Sequence, residues 1–101
     1  MSLLNYTTYD DIRAALGVTD EELEDGVLGL QIYEDSLRFE LDDVHPDLVA
    51  LHTTLESTPV LTSAQERFMA ACRGFSTYVV ARALTSTLPM FGPKSIEDGK
   101  A

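Results

Sequence analysis

Residues 62–89, Thr62-Ser63-Ala64-Gln65-Glu66-Arg67-Phe68-Met69-Ala70-Ala71-Cys72-Arg73-Gly74-Phe75-Ser76-Thr77-Tyr78-Val79-Val80-Ala81-Arg82-Ala83-Leu84-Thr85-Ser86-Thr87-Leu88-Pro89, decide the fold. Two overlapping capping boxes open the stretch, Thr62 with Gln65 and Ser63 with Glu66, each pairing a hydroxyl at the cap with a carbonyl side chain three residues on. Phe68, Cys72, Phe75, Val79 and Ala83 then recur at three- and four-residue steps, flanked by Ala71, Tyr78 and Val80. Pro89 cannot donate a backbone hydrogen bond and ends the run after Leu88. The spacing predicts one helix of about 25 residues, roughly 37 Å long. A helix of that length is the spine of a small all-α domain.

Upstream, helix punctuation continues and strand alternation is nearly missing. Thr8 is placed to cap a helix from Tyr9 to Leu16, with Asp10 and Asp11 in its first turn and Gly17 at its end. Ile12, Ala15 and Leu16 form its apolar stripe. Thr19 and Glu22 form a capping box, after which Leu23, Val27, Leu30, Tyr33, Leu37 and Leu41 mark a second helix. Gly26 and Gly29 weaken its first turns, so a break or a start near Asp25 is expected, and Asp42 and Asp43 close it. Val44, Leu48, Leu51 and Leu55 mark a third helix, with Pro46 in its first turn and Ser57-Thr58-Pro59 after it. The expectation is a small four-helix bundle over residues 1–88, with a long last helix.

Residues 89–101, Pro89-Met90-Phe91-Gly92-Pro93-Lys94-Ser95-Ile96-Glu97-Asp98-Gly99-Lys100-Ala101, read as an extended, non-helical C-terminal arm. Two prolines and two glycines exclude regular helix, yet Met90, Phe91 and Ile96 are side chains that suit contact with a surface. Fully extended, the arm reaches about 40 Å. Its prolines restrict the unbound backbone, which lowers the entropic cost of ordering it on a partner; the alternative is an arm folded back over its own bundle, with Phe91 plugging the core near Pro89.

The chain has 101 residues, enough for one domain with one modest core. The N-terminus carries no basic and apolar leader pattern, and no stretch is apolar enough to suggest a membrane span. The lone cysteine, Cys72, excludes an internal disulfide and fits a reducing compartment. A net charge of −10 lacks the basic footprint of a nucleic-acid binder. That charge is unevenly placed: residues 1–56 hold 14 acids and 2 bases (−12), and residues 57–101 hold 3 acids and 5 bases (+2). Acids favouring helix N-termini and a selected acidic surface both account for it.

The two ends of the chain carry a resemblance. Tyr9-Asp10-Asp11-Ile12-Arg13-Ala14-Ala15-Leu16-Gly17-Val18-Thr19-Asp20-Glu21-Glu22-Leu23 resembles the start of tailed-phage head–tail connector proteins, also called adaptor or head-completion proteins. The long last helix followed by Pro93-Lys94-Ser95-Ile96-Glu97-Asp98-Gly99-Lys100 resembles their end. The likeness is specific in these two segments, and the middle helices match many bundles. It implies a structural virion protein rather than an enzyme, without a cofactor. Such a protein forms a ring of copies, usually twelve, beneath the portal at the capsid vertex and receives the next tail or head-completion protein. It would be assembled in the host cytoplasm. Residues 1–88 would be the adaptor body, and Phe91, Pro93, Lys94, Ile96, Asp98 and Lys100 of the arm would face the portal. Relatives continue past the Asp-Gly-Lys segment, whereas this sequence stops at Ala101, which bears on the arm's contacts.

Within that expectation Arg67, Arg73 and Arg82 pair with acids of a neighbouring helix or of a neighbouring subunit. Glu34, Glu40 and Asp42 would belong to an acidic conduit surface that repels passing DNA, which is not specifically bound. Other residues invite other chemistry. Asp35-Ser36-Leu37 matches the short motif that carries the prosthetic group of acyl carrier proteins, but Ser36 falls inside the 27–41 stripe rather than at a helix start. An acidic DNA-mimic inhibitor is a further alternative. His45 and His52 lie seven apart near Asp42, Asp43 and Asp47; Pro46 spoils their helical alignment, so rim or exposed histidines are expected rather than a metal site. Cys72 lies in an apolar stripe and reads as a core residue. The sequence shows no glycine-rich phosphate loop and no serine–histidine–acid arrangement.

Overall fold

Thr8 sets the first helix by its side chain. In the computed structural model, which describes residues 2–87, its Oγ1 accepts a hydrogen bond from the Asp11 amide at 3.0 Å and opens α1 (Tyr9–Leu16). Gly17 ends α1 at φ 72°, a left-handed conformation that glycine adopts at little cost. A 3₁₀ turn (Leu3–Asn5) precedes α1, and α2 (Asp25–Leu28), α3 (Gln31–Val44), α4 (Leu48–Glu56) and α5 (Ser63–Thr87) follow. There is no strand among the described residues. The fold is all-α. The arm expected at 89–101, with its six portal-facing residues, lies outside the described residues.

One predicted helix is two. The Thr19–Glu22 capping box forms in both directions, the Thr19 amide donating to Glu22 Oε1 at 3.0 Å and the Glu22 amide to Thr19 Oγ1 at 3.2 Å. No helix grows from it: Glu24 is extended at ψ 154°, and Arg13 Nε donates to the Leu23 carbonyl at 2.8 Å. The chain turns through residues 20–23, makes the single turn of α2, and extends at Leu30 before α3 starts. Gly29 sits at this corner, where an added Cβ would stand 3.2 Å from the Tyr9 hydroxyl.

Further on, α3 continues through Asp42 and Asp43 to Val44, and Pro46 lies in the link before α4. The buried line of α4 is Leu48, His52 and Leu55; Val44 and Leu51 are exposed. Thr62 and Gln65 supply the capping box that opens α5, the Thr62 amide donating to Gln65 Oε1 at 2.9 Å and the Gln65 amide to Thr62 Oγ1 at 3.2 Å. Along α5 the deepest side chains are Ser76, Val79, Val80 and Leu84, while Phe68, Phe75 and Ala83 of the expected stripe are half-buried.

α5 packs chiefly against α1 on one side and α3 on the other, and less extensively against α4. The core gathers Ile12, Leu23, Leu28, Tyr33, Leu37, Leu41, Val79, Val80 and Leu84, with Leu3 and Tyr6 closing it from the N-terminal turn. Burying such side chains supplies about 1.5–3 kcal/mol each relative to exposure, which makes this contiguous cluster the main favourable contribution to folding.

Candidate functional site: the seam between α3 and α5

A helix of 3.6 residues per turn presents seven-residue steps on one line. On α3 the inward line is Tyr33, Leu37 and Leu41, all buried. The outward line carries Ile32 and Phe39, 56% and 70% exposed, a large apolar area to leave in water. Asp35, Asp42 and Asp43 lie exposed around them. Between α3 and α5 runs a groove lined by Ile32, Ser36, Phe39, Val79 and Ala83, with Asp35, Glu40, Arg82 and Ser86 at its polar rim. A second groove, on the α1 side of α5, is lined by Ala15, Leu16, Ala81 and the exposed Tyr78. Arg82 stands on the ridge between the two. Its Nη2 donates to Glu40 Oε1 at 3.2 Å, and its guanidinium lies 5.3 Å from the Tyr78 ring centroid.

The three arginines singled out in the sequence are separated. Arg73 Nε donates to Asp11 Oδ2 at 2.6 Å, tying α5 to α1. That hydrogen bond holds the Asp11 carboxyl below its ordinary pKa and raises Arg73 above its own. Arg82 ties α5 to α3 through Glu40, so both have partners on a neighbouring helix. Arg67 is exposed. The three acids are also split. Glu34 accepts from the Leu3 amide at 3.2 Å and from Gln31 Nε2 at 2.7 Å on the flank that meets the N-terminal turn. Glu40 lies on the opposite flank, beside α5, and Asp42 pairs with Arg38 at 3.2 Å. Their side chains do not share one face; Asp35, Asp42 and Asp43 make the outward acidic one.

Ser36 is half-buried in the middle of α3, as its place in the stripe implies. His45 is exposed past the end of α3 and its Nδ1 accepts the Asp47 amide at 3.1 Å. His52, expected at a rim, is buried at 2% exposure and stacks on Tyr6 with ring centroids 3.9 Å apart. Burial holds its pKa below the ordinary histidine value, outweighing Glu56, whose carboxylate stands 3.6 Å from Nδ1. The two histidines are therefore in unlike environments. No group of three metal-ligating side chains occurs among the described residues. Cys72 is a core thiol, its pKa raised by burial.

Sequence reasoning missed Arg13. Its side chain reaches out of α1 to the Leu23 carbonyl, to Asp25 and to Asp10 at 3.4 Å, and Asp25 above all raises its pKa. The signal for this was slight: one base amid seven acids between residues 10 and 25. The outward pair Ile32 and Phe39 was also off the predicted stripe, and their seven-residue spacing was the available sign. No helix of the described residues is long and apolar enough to cross a membrane. Searches of protein-family models, of curated proteins and of solved structures find no match to this chain.

Proposed function

We propose that this chain is a structural connector, a helical subunit that joins copies of itself in a ring and links a portal to the next tail component. One observation carries the reading: Ile32, Phe39 and Tyr78 remain more than half exposed along α3 and α5, beside charged side chains of both signs. Apolar side chains spread over two helices are what a docking protein needs, and charges around them select the partner. The likeness of residues 9–23 and 93–100 to head–tail connectors supplies the biological setting. In that setting the ring has about a dozen copies, the arm meets the portal through Phe91, Lys94 and Ile96, and the outward acids Asp35, Asp42 and Asp43 keep DNA from adhering.

Native mass spectrometry on the tagged chain recovered from an infected-cell lysate tests the reading. The expected result is many copies of the 11.1 kDa chain on a portal-sized ring. A lone chain, or one bound to a single basic enzyme, overturns it. A cofactor-sized mass addition on Ser36 would replace it with the carrier alternative.

A further inference from the structure

The α3–α5 groove is apolar at its base and acidic at its rim, and one end of it lies at the last described turn of α5. Val79 and Ala83 floor it, Ile32 and Phe39 stand over it, and Ser86 closes the end next to Thr87. Asp35 is exposed at its edge and Glu40 is engaged by Arg82. The one base on α3, Arg38, is tied to Asp42. An occupant has to be apolar enough to cover Phe39 and basic enough to meet Asp35 and Asp43. The same face of a second copy fails this requirement, because it would set acids against acids.

The sequence contains one segment that fits. Beyond Thr87, residues 88–101 hold Leu88, Met90, Phe91 and Ile96, with Lys94 and Lys100 balanced by Glu97 and Asp98; the part next to α5, residues 88–95, carries Lys94 and no acid. Phe91 is four residues past Thr87, a reach of about 13 Å when extended. The groove runs back along α5 from Ser86 to Val79, about 10 Å at helical rise. Pro89 and the Gly92-Pro93 pair are residues that suit a reversal of chain direction. A tether this short gives an effective concentration on the order of millimolar, so weak contacts suffice.

We propose that residues 88–101 seat on the α3–α5 groove of their own chain, setting Phe91 and Met90 against Ile32 and Phe39 and Lys94 toward the acids of α3. This concerns the free chain and goes beyond the connector reading. If that reading also holds, any partner that takes the arm must first draw it off this seat.

Paramagnetic broadening in the full chain tests the seat, with a nitroxide on Ser95→Cys and Cys72→Ala in the same chain. At micromolar concentration, amides of α3 from Ile32 to Glu40 should lose most of their intensity. Those of Ala15 and Leu16, across α5 in the other groove, should lose much less. Phe39→Asp, an exposed change that leaves the core intact, should abolish the difference. In a one-to-one mixture of isotope-labelled chain without nitroxide and unlabelled chain with it, α3 should keep its intensity. Three results overturn the proposal: no broadening of α3, equal broadening on both sides of α5, or α3 broadening in the mixture, which assigns the groove to a second copy. None of these bears on whether the chain enters a portal complex, which the mass measurement decides separately.

Discussion

Leu37 and Phe39 stand two residues apart on one helix and meet opposite fates, the first fully buried and the second 70% exposed. Both are large and apolar, so residue type does not separate them. Position on the helix does: Leu37 joins Tyr33 and Leu41 on the line that α5 and the N-terminal turn cover, whereas Phe39 joins Ile32 on the line that nothing in the described chain covers. The inner line holds the body together. The outer line is the part of α3 whose chemistry looks beyond the body.

The largest expected effect breaks the inner line. Leu37→Ala should cost about 3 kcal/mol in denaturant unfolding, from lost transfer energy and the cavity left behind. A cost below about 1 kcal/mol would mean that α3 is not held as described. A second effect comes from acid at the corner where Tyr6 covers His52. The unfolded chain takes up a proton near the ordinary value of 6.5, while the buried ring resists it to lower pH. Stability should therefore fall as pH drops below about 6.5, and His52→Gln should flatten that part of the profile. Asp11 acts in a lower window: its depressed carboxyl contributes above its ordinary 3.8 and the contribution is lost only below it. A profile flat between pH 7 and 5 in the parent chain would remove the His52 assignment.

The boundary between the two lines comes next. A double-mutant cycle on Glu40→Gln and Arg82→Gln should give a coupling of about 0.5 kcal/mol or less, since the side chains are 33% and 50% exposed. The coupling should shrink further in high salt. A value of several kcal/mol would show the seam to be closed rather than open. The smallest effect belongs to the outer line, where Phe39→Ser should change stability by no more than about 0.5 kcal/mol. In the connector reading the same change should sharply reduce entry into the assembly, so that stability and assembly separate between Leu37 and Phe39.

The helical class, α1 and α5 were legible because their signals are local. Thr8, Gly17 and the Thr62–Gln65 pair act within three or four residues of themselves, and each does in space what its spacing implies. The break at 19–30 was only half legible. Glycines marked the place, but the side chain bonded at this turn is Arg13, ten residues from the carbonyl it meets, and such a contact has no periodicity. The burial of His52 failed for a similar reason: its cover, Tyr6, comes from the far end of the chain. Of the candidate site, the charged residues were visible and their partners were not. Arg73 and Arg82 find acids 62 and 42 residues away, distances over which sequence patterns carry no register.

α5 gives the molecule a mechanical property as well as a core. It is an unbroken rod of 25 residues, about 37 Å from Ser63 to Thr87, with α3 packed along it from Phe68 to Ser86. A tilt of about 5° about one end would carry the other through roughly 3 Å at that length. A small rotation at the capping box by Thr62 is thus a displacement of atomic size at Thr87, and the reverse holds equally. Two neighbours at opposite ends of this rod would be geared to each other without touching.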